Sequence, residues 1–225
     1  VIDRFTINAA LDVRAAVVAR VSPMGPLAPA SLVAFGASRG GADKPVLDFA
    51  DKELDVIRES FPGARTVRGG GVSEGAILAA LTEPDGVVHF GGHTRLDATD
   101  PLAGRLEIGD GGVELYEVLS TNSRASLVVL SSCESAIGGD PRSFARPTGE
   151  ELLSLAQSFI IAGTDNVLAS TTRVSDVAAA ILMKRFYRAA RTRPVADALR
   201  EAQLVVRTYH PHPAWWANFT LISGG

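Results

Sequence analysis

Residues 127–135 read L-V-V-L-S-S-C-E-S: four consecutive apolar residues, two serines and then a cysteine. Residues 87–93 read V-V-H-F-G-G-H and end in a histidine in the same way. Runs that are apolar at successive positions, rather than at alternate ones, are typical of strands in a parallel sheet covered on both faces. The two stretches therefore predict two buried strands, each with a reactive side chain, His93 or Cys133, just past its carboxyl end.

The rest of the chain alternates further apolar runs with segments of helical periodicity. Further strands are predicted at 1–7, 31–36, 64–67, 106–108, 167–169 and 219–222, and helices at 9–19, 46–61, 73–81, 152–161, 177–190 and 195–206. The glycine-rich residues 109–112 predict a turn. Such alternation predicts an α/β fold with a mostly parallel sheet and helices on both faces.

Composition excludes several classes of function. A net charge of −3 without a basic stripe argues against a nucleic-acid partner. No apolar run is long enough to span a membrane. A single cysteine excludes an internal disulfide and favours a reducing cytoplasm. His210 and His212 lack partners at metal-ligand spacing. We expect neither a metal nor a cofactor. Because the chain begins at Val1 within a predicted strand, we expect either a piece of a longer polypeptide that lacks its N-terminal part or a processed chain.

The carboxyl ends of parallel strands form the active crevice of such sheets. His93 and Cys133 both lie there, and together they predict a Cys-His nucleophilic pair for acyl transfer, with oxyanion donors from backbone N–H groups at Cys133 and beside His93. Gly91 and Gly92 predict a tight turn that presents the imidazole openly. No third residue to orient the histidine is evident, which predicts a dyad. A lone cysteine is also common as a small buried hydrophobe, and the residues alone leave both interpretations open.

Asp176 has two interpretations. Ser175 or Asp176 can cap the helix that begins at Val177, which the spacing alone favours. Alternatively, Asp176 lines a substrate pocket, because the loop at 170–176 reaches the same edge of the sheet.

These stretches, in their order and spacing, resemble the CHAT family, caspase-like peptidases that are related to separase and often fused to TPR repeats. The resemblance covers nearly the whole chain, as one domain over residues 1–225. The matching pieces are I-D-R-F (2–5), residues 87–93, D-P-L (100–102), residues 127–135, G-E-E-L (149–152), I-A-G-T-D-N-V-L-A-S (161–170), M-K-R-F-Y (183–187), A-L-R-E-A-Q-L (198–204) and H-P-A-W-W-A-N-F (212–219).

The resemblance implies a caspase-hemoglobinase-like α/β fold and a cysteine endopeptidase that cleaves a protein partner through a thioester acyl-enzyme. The family's catalytic histidine falls on His93 and its nucleophile on Cys133, and the oxyanion donors fall on the N–H groups of Thr94 and Cys133. Ser132, just before the nucleophile, is a candidate substrate-binding residue. TPR or other regulatory domains in the same polypeptide are the partners that the family implies.

Two departures from the family pattern concern the site. Thr94 replaces the glycine that usually follows the catalytic histidine. Residues 171–176 read T-T-R-V-S-D where the family usually has Leu-Trp-x-Val-Asp-Asp. Asp176 falls where separase-like members have an acidic residue that recognises a basic P1 side chain, and Arg173 can neutralise it or face an acidic substrate. These departures favour the alternative, a catalytically silent CHAT domain that acts as an interaction or regulatory module, whereas the retained His93 and Cys133 favour the enzyme.

Overall fold

A computed structural model describes residues 2–3, 9–10, 24–28, 31–39, 46–95, 104–132, 149–170 and 174–224. Its strands are β1 (Ala9–Ala10), β2 (Leu32–Ala37), β3 (Arg65–Arg68), β4 (Val87–Gly92), β5 (Thr94–Arg95), β6 (Arg105–Ile108), β7 (Gly111–Glu114), β8 (Leu127–Ser132), β9 (Asn166–Ser170) and β10 (Phe219–Ser223). Its helices are α1 (Ala50–Ser60), α2 (Glu74–Leu81), α3 (Leu115–Ser120), α4 (Gly149–Ile161), α5 (Asp176–Ala190) and α6 (Val195–Tyr209).

The described strands form one large sheet in the order β1-β10-β9-β8-β4-β2-β3. Strands β9, β8, β4, β2 and β3 are mutually parallel. The exception is β10, which runs antiparallel to β9 and carries β1 beside it. This is the mostly parallel α/β sheet that the apolar runs predict.

Helices cover both faces of this sheet, and strand alternation decides which side chains meet them. Leu127 and Val129 point towards the layer formed by α1, α5 and α6, and share one apolar core with Leu54 and Leu182. Val128 and its alternating neighbours point towards α2, α3 and α4, in a second core. Because both faces are covered, β8 has to be apolar at every position from 127 to 130.

A second sheet of described strands, in the order β5-β6-β7, begins directly after His93. Strands β6 and β7 pair from Ile108 to Gly111, so the turn that the glycines predict is confined to residues 109–110. Gly109 has a φ of 57°, a backbone conformation that side chains rarely adopt. Strand β7 begins within the predicted turn, and α3 follows where no element was predicted. Val113 and Leu115 attach them to the second core.

The predicted helix at 9–19 is wrong at its start. Ala9–Ala10 is a strand that pairs with Ile222 and Ser223 of β10, some 210 residues away in the sequence. Alanine has a high helix propensity, but pairing with the edge of a sheet overrides so weak a preference. Residues 11–19 lie outside the described part of the chain. The helix predicted from 46 begins instead at Ala50. No described helix is long and apolar enough to cross a membrane.

Candidate active site

The carboxyl ends of β4 and β8 lie side by side. The register pairs Gly91 with Ser131 and Gly92 with Ser132, so the two strands end at the same level. His93 is the next residue after Gly92. Cys133 lies outside the described residues, but it is bonded to Ser132, and the Cα atoms of consecutive residues are about 3.8 Å apart. The described backbone therefore brings the two chain segments to one point of the sheet edge, one residue short of the cysteine.

His93 is fully buried, which differs from the open presentation that its glycines predict. Strand β4 continues through Gly92 instead of turning, and Gly92 is required for packing. A Cβ there would lie 2.7 Å from Cζ of Phe90 and 3.1 Å from Cβ of Ala37. The glycine thus lets the Phe90 ring fold under the end of the strand that delivers His93.

Thr94 continues directly into the small sheet, where it pairs with Leu106 in β5 and β6. The carbonyl of His93 accepts the N–H of Glu107 at 2.9 Å. In this register Thr94 and Leu106 form a non-hydrogen-bonded pair, so the N–H of Thr94 points away from β6. Among the described non-glycine residues, Asp85 alone has a positive φ, so the φ of Thr94 is negative. Thr94 is therefore unstrained at the position where the family usually has glycine.

Asp176 is the first residue of α5, and Ser175 is the cap. The Ser175 hydroxyl accepts the N–H of Ala178 at 3.2 Å. Oδ2 of Asp176 instead accepts the N–H of Phe49 at 3.0 Å, which links α5 to the residue that precedes α1. Burial raises the pKa of the Asp176 carboxyl above its usual 3.8 and the interaction with Asp48 adds to the rise, while the Phe49 N–H and the interaction with His93 act to lower it. Asp176 therefore lies within electrostatic reach of His93.

The remaining predicted site residues are placed only in part. Ser132 is buried at the end of β8 with 5% of its surface exposed. Arg173, like Cys133, lies outside the described residues. The described residues include no group of three or more histidine, cysteine, aspartate or glutamate side chains arranged to hold a metal ion.

A cavity of about 520 Å³ opens at the same edge of the sheet, on the far side of β4 from β8. Ala37, the last residue of β2 and the register partner of Gly92, forms part of its lining. The lining also includes Ser38, Arg39, Gly69, Gly70, Val72, Ile108 and Gly109. There is thus room for a side chain of a bound ligand beside the end of the histidine strand.

A buried polar cluster of four side chains, Glu53, His89, Ser131 and Tyr187, lies behind the strand ends. The Ser131 hydroxyl donates to Oε1 of Glu53 at 3.0 Å, and the Tyr187 hydroxyl lies 2.9 Å from Nδ1 of His89. Nε2 of His89 is 3.2 Å from Oε2 of Glu53, close enough for an ion-pair contact, although the angle is poor for a hydrogen bond. The sequence signal was His89, a polar residue inside an apolar strand; nothing in the sequence indicated its partners.

Comparisons with known proteins agree with this architecture. The family model of the CHAT domain matches residues 1–224. Among solved structures, the crystal structure of the Arg-specific cysteine proteinase gingipain R (RgpB) is similar with a TM-score of 0.55 and 11% identity, over 87% of this chain and 47% of that one. The complex of the pro- and mature domains of Porphyromonas gingivalis RgpB is similar with a TM-score of 0.55 and 12% identity, over 86% and 47%.

No curated protein matches the chain. The chain spans about half the length of the gingipain chains, and at this identity the likeness shows the fold alone. That fold is the α/β fold of caspase-like cysteine proteinases, as the residues and their resemblance predict.

Proposed function

Because the chain belongs to the CHAT domain family, a family with a cysteine peptidase-like fold, we propose that it is a cysteine endopeptidase with a dyad of His93 and Cys133. The observation that carries the proposal is the register of β4 and β8, which pairs Gly92 with Ser132. Each strand is followed by one member of the dyad. A histidine and a cysteine that leave neighbouring parallel strands at the same level are within reach of each other.

The chemistry is acyl transfer. His93 takes the proton of Cys133, and the thiolate attacks the carbonyl carbon of the scissile peptide bond. The N–H of Thr94, directed away from β6, and the N–H of Cys133 donate to the oxyanion. His93 then returns the proton to the leaving amine, which leaves a thioester on Cys133. Water activated by the same imidazole hydrolyses the thioester and frees the enzyme.

The substrate is a protein with arginine or lysine at P1, recognised by Asp176. The carboxyl group lies at the strand-end edge within electrostatic reach of His93, and Phe49 occupies only one of its two oxygens. A guanidinium or ammonium group can form a charge-assisted hydrogen bond with the other oxygen. Ser132 and Arg173 would contact the substrate beside it, and the cavity next to Ala37 has room for a neighbouring substrate side chain.

TPR or other regulatory domains in the same polypeptide are the proposed partners.

One observation favours the alternative, a catalytically silent domain that acts as a regulatory module. The imidazole of His93 exposes none of its surface, so a substrate reaches it only if the residues around it move. The two functions differ in the reactivity of Cys133, since a working dyad needs a thiolate near neutral pH.

Alkylation separates them. Cys133 is the only cysteine, so iodoacetamide reports on it alone. A free thiol with a pKa of about 8.5 is only a few per cent ionised at pH 7, and pairing with His93 should raise its alkylation rate about tenfold. We expect His93→Ala to remove that gain and His212→Ala, a change at an exposed histidine, to leave the rate unchanged. Equal rates in the wild type and His93→Ala would exclude the dyad.

Cleavage is then measured with fluorogenic peptides that carry Arg, Leu or Asp at P1. We expect turnover of the Arg peptide, its loss in Cys133→Ala, and its specific weakening in Asp176→Asn. A preference for Leu or Asp would show that Asp176 does not recognise P1.

A further inference from the structure

We infer that Glu53 is a positioning residue for the dyad, and that its buried side chain fixes the ends of β4 and β8 relative to each other. The inference rests on the proposed function, and it assigns to helix α1 a part in the reaction that neither the family motifs nor the gingipain likeness indicates. Glu53 is 3% exposed and reaches the sheet from the fourth position of α1.

Glu53 contacts both strands that carry the dyad. Its Oε1 accepts the hydroxyl of Ser131, two residues before Cys133. Its Oε2 lies 3.2 Å from Nε2 of His89, four residues before His93. One carboxyl group thus bridges β4 and β8 close to their carboxyl ends.

The side chain also occupies the space that Gly91 leaves. Side chains of a strand alternate between its faces, so His89 and residue 91 lie on the same face of β4. A Cβ on Gly91 would be 3.6 Å from Oε2 of Glu53 and 3.3 Å from Nε2 of His89. Gly91 is the register partner of Ser131, so the carboxyl group lies directly over the last pair of residues before Gly92 and Ser132. A shift of Glu53 would therefore displace the ends of β4 and β8, where both chain segments leave the sheet.

Tyr187 defines the orientation of the cluster. Burial raises the pKa of its hydroxyl well above the usual value, so the hydroxyl keeps its proton and can donate to Nδ1 of His89. The tautomer that accepts at Nδ1 carries its proton on Nε2, the atom that faces Glu53. The Nε2–H of His89 then lies against Oε2 of Glu53 at 3.2 Å without the alignment of a hydrogen bond, and Ser131 donates to Oε1 of the same carboxyl group. Contacts thus join all four side chains of the cluster.

Helix α1 connects this cluster to the outer part of the site. Phe49, which precedes the helix, donates its N–H to Asp176, and Glu53 lies four residues further on. A helix held at both points sets the distance between the P1 candidate and the strand ends. Simple stabilisation would not require this arrangement, because apolar residues of similar volume often stabilise a core at least as well as buried charged groups do.

The test uses the full chain and the alkylation of Cys133 by iodoacetamide at pH 7, which needs no substrate. Glu53→Gln keeps the volume but replaces one carboxylate oxygen by NH₂ and removes the negative charge, so a carbonyl oxygen can face either Ser131 or His89 but not both. A displacement of about 1 Å at a catalytic group can cost up to 100-fold in rate. We expect Glu53→Gln to slow alkylation at least fivefold, and Ser131→Ala, a smaller change that loses only the link to β8, to slow it about threefold.

The matched control is Ser123→Ala. It breaks a buried hydrogen bond of 2.8 Å between Ser123 and Thr164. These residues precede the amino ends of β8 and β9, at the edge of the sheet opposite to the candidate site. We expect it to lower the melting temperature about as much as Glu53→Gln does while leaving the alkylation rate within twofold of the wild type. If Glu53→Gln slows alkylation no more than Ser123→Ala, Glu53 is only structural, and the inference is overturned while the dyad stands. If Cys133 of the wild type is alkylated as slowly as Cys133 of His93→Ala, both the dyad and the inference are overturned.

Discussion

Replacing Tyr187 with phenylalanine tests the buried cluster in isolation from any activity. Tyr187 and His89 are both fully buried, and the substitution removes the hydroxyl that lies 2.9 Å from Nδ1 of His89. The phenylalanine ring can keep the edge-on contacts that Tyr187 makes with Phe61, His89 and Phe186. The change therefore deletes one hydrogen bond and little packing.

The expected cost follows from leaving a buried acceptor without its donor. An unsatisfied buried polar group costs about 1–3 kcal/mol, more than the net value of an ordinary hydrogen bond. For a chain of this length each kcal/mol lowers the melting temperature by roughly 2–4 °C. We therefore expect the melting temperature of Tyr187→Phe to fall by about 2–12 °C.

The assay is thermal unfolding followed by circular dichroism, with Tyr116→Phe as the matched control. Tyr116 is 53% exposed, so the loss of its hydroxyl should change the free energy of unfolding by less than about 0.5 kcal/mol. If Tyr187→Phe were no less stable than Tyr116→Phe, His89 would not need the hydroxyl, and the assignment of Tyr187 as the donor to Nδ1 of His89 would be wrong.

Two further predictions concern Asp176 and Gly92. Because burial raises the pKa of Asp176, the folded protein binds this proton more tightly than the unfolded chain, and the stability that protonation provides is lost as the pH rises above 3.8. Asp176→Asn can still accept from Phe49, so its melting temperature relative to the wild type should rise between about pH 3.5 and pH 7; a constant difference would argue against the raised pKa. Gly92→Ala should lower the free energy of unfolding in urea by about 1–3 kcal/mol, because its Cβ would overlap Phe90. Gly70→Ala, with no atom within 4 Å of the new Cβ, should be tolerated, and equal stability of the two variants would contradict the packing argument.

The central strands of the sheet were predictable because their signal is local. The apolar runs at 87–90 and 127–130 mark strands covered on both faces, and this covering follows from burial alone. The extension of β4 through Gly91 and Gly92 was not predictable, because glycine in sequence indicates a turn. Here Phe90 and Glu53 occupy the space that side chains at these positions would need.

For the site, the pairing of His93 with Cys133 stays a prediction. His93 and Cys133 stand out as reactive groups after strands, and the register of their strands is the arrangement that such chemistry requires. The partners of His89 could not be predicted, since Glu53 precedes Ser131 by 78 residues and Tyr187 follows His89 by 98. Contacts over such distances depend on how helices pack, and an amphipathic pattern does not specify which polar residue faces inward.

The pairing of β4 with β8 has a consequence for folding. Gly92 and Ser132 are 40 positions apart, and the chain between them includes the small sheet and α3. Parallel pairing of this kind forms late, because the entropy of closing the loop is lost before the contact is gained. In the proposed enzyme, a nascent or partly unfolded chain holds His93 and Cys133 apart. We therefore expect the proposed proteolytic activity only in chains whose central sheet is complete.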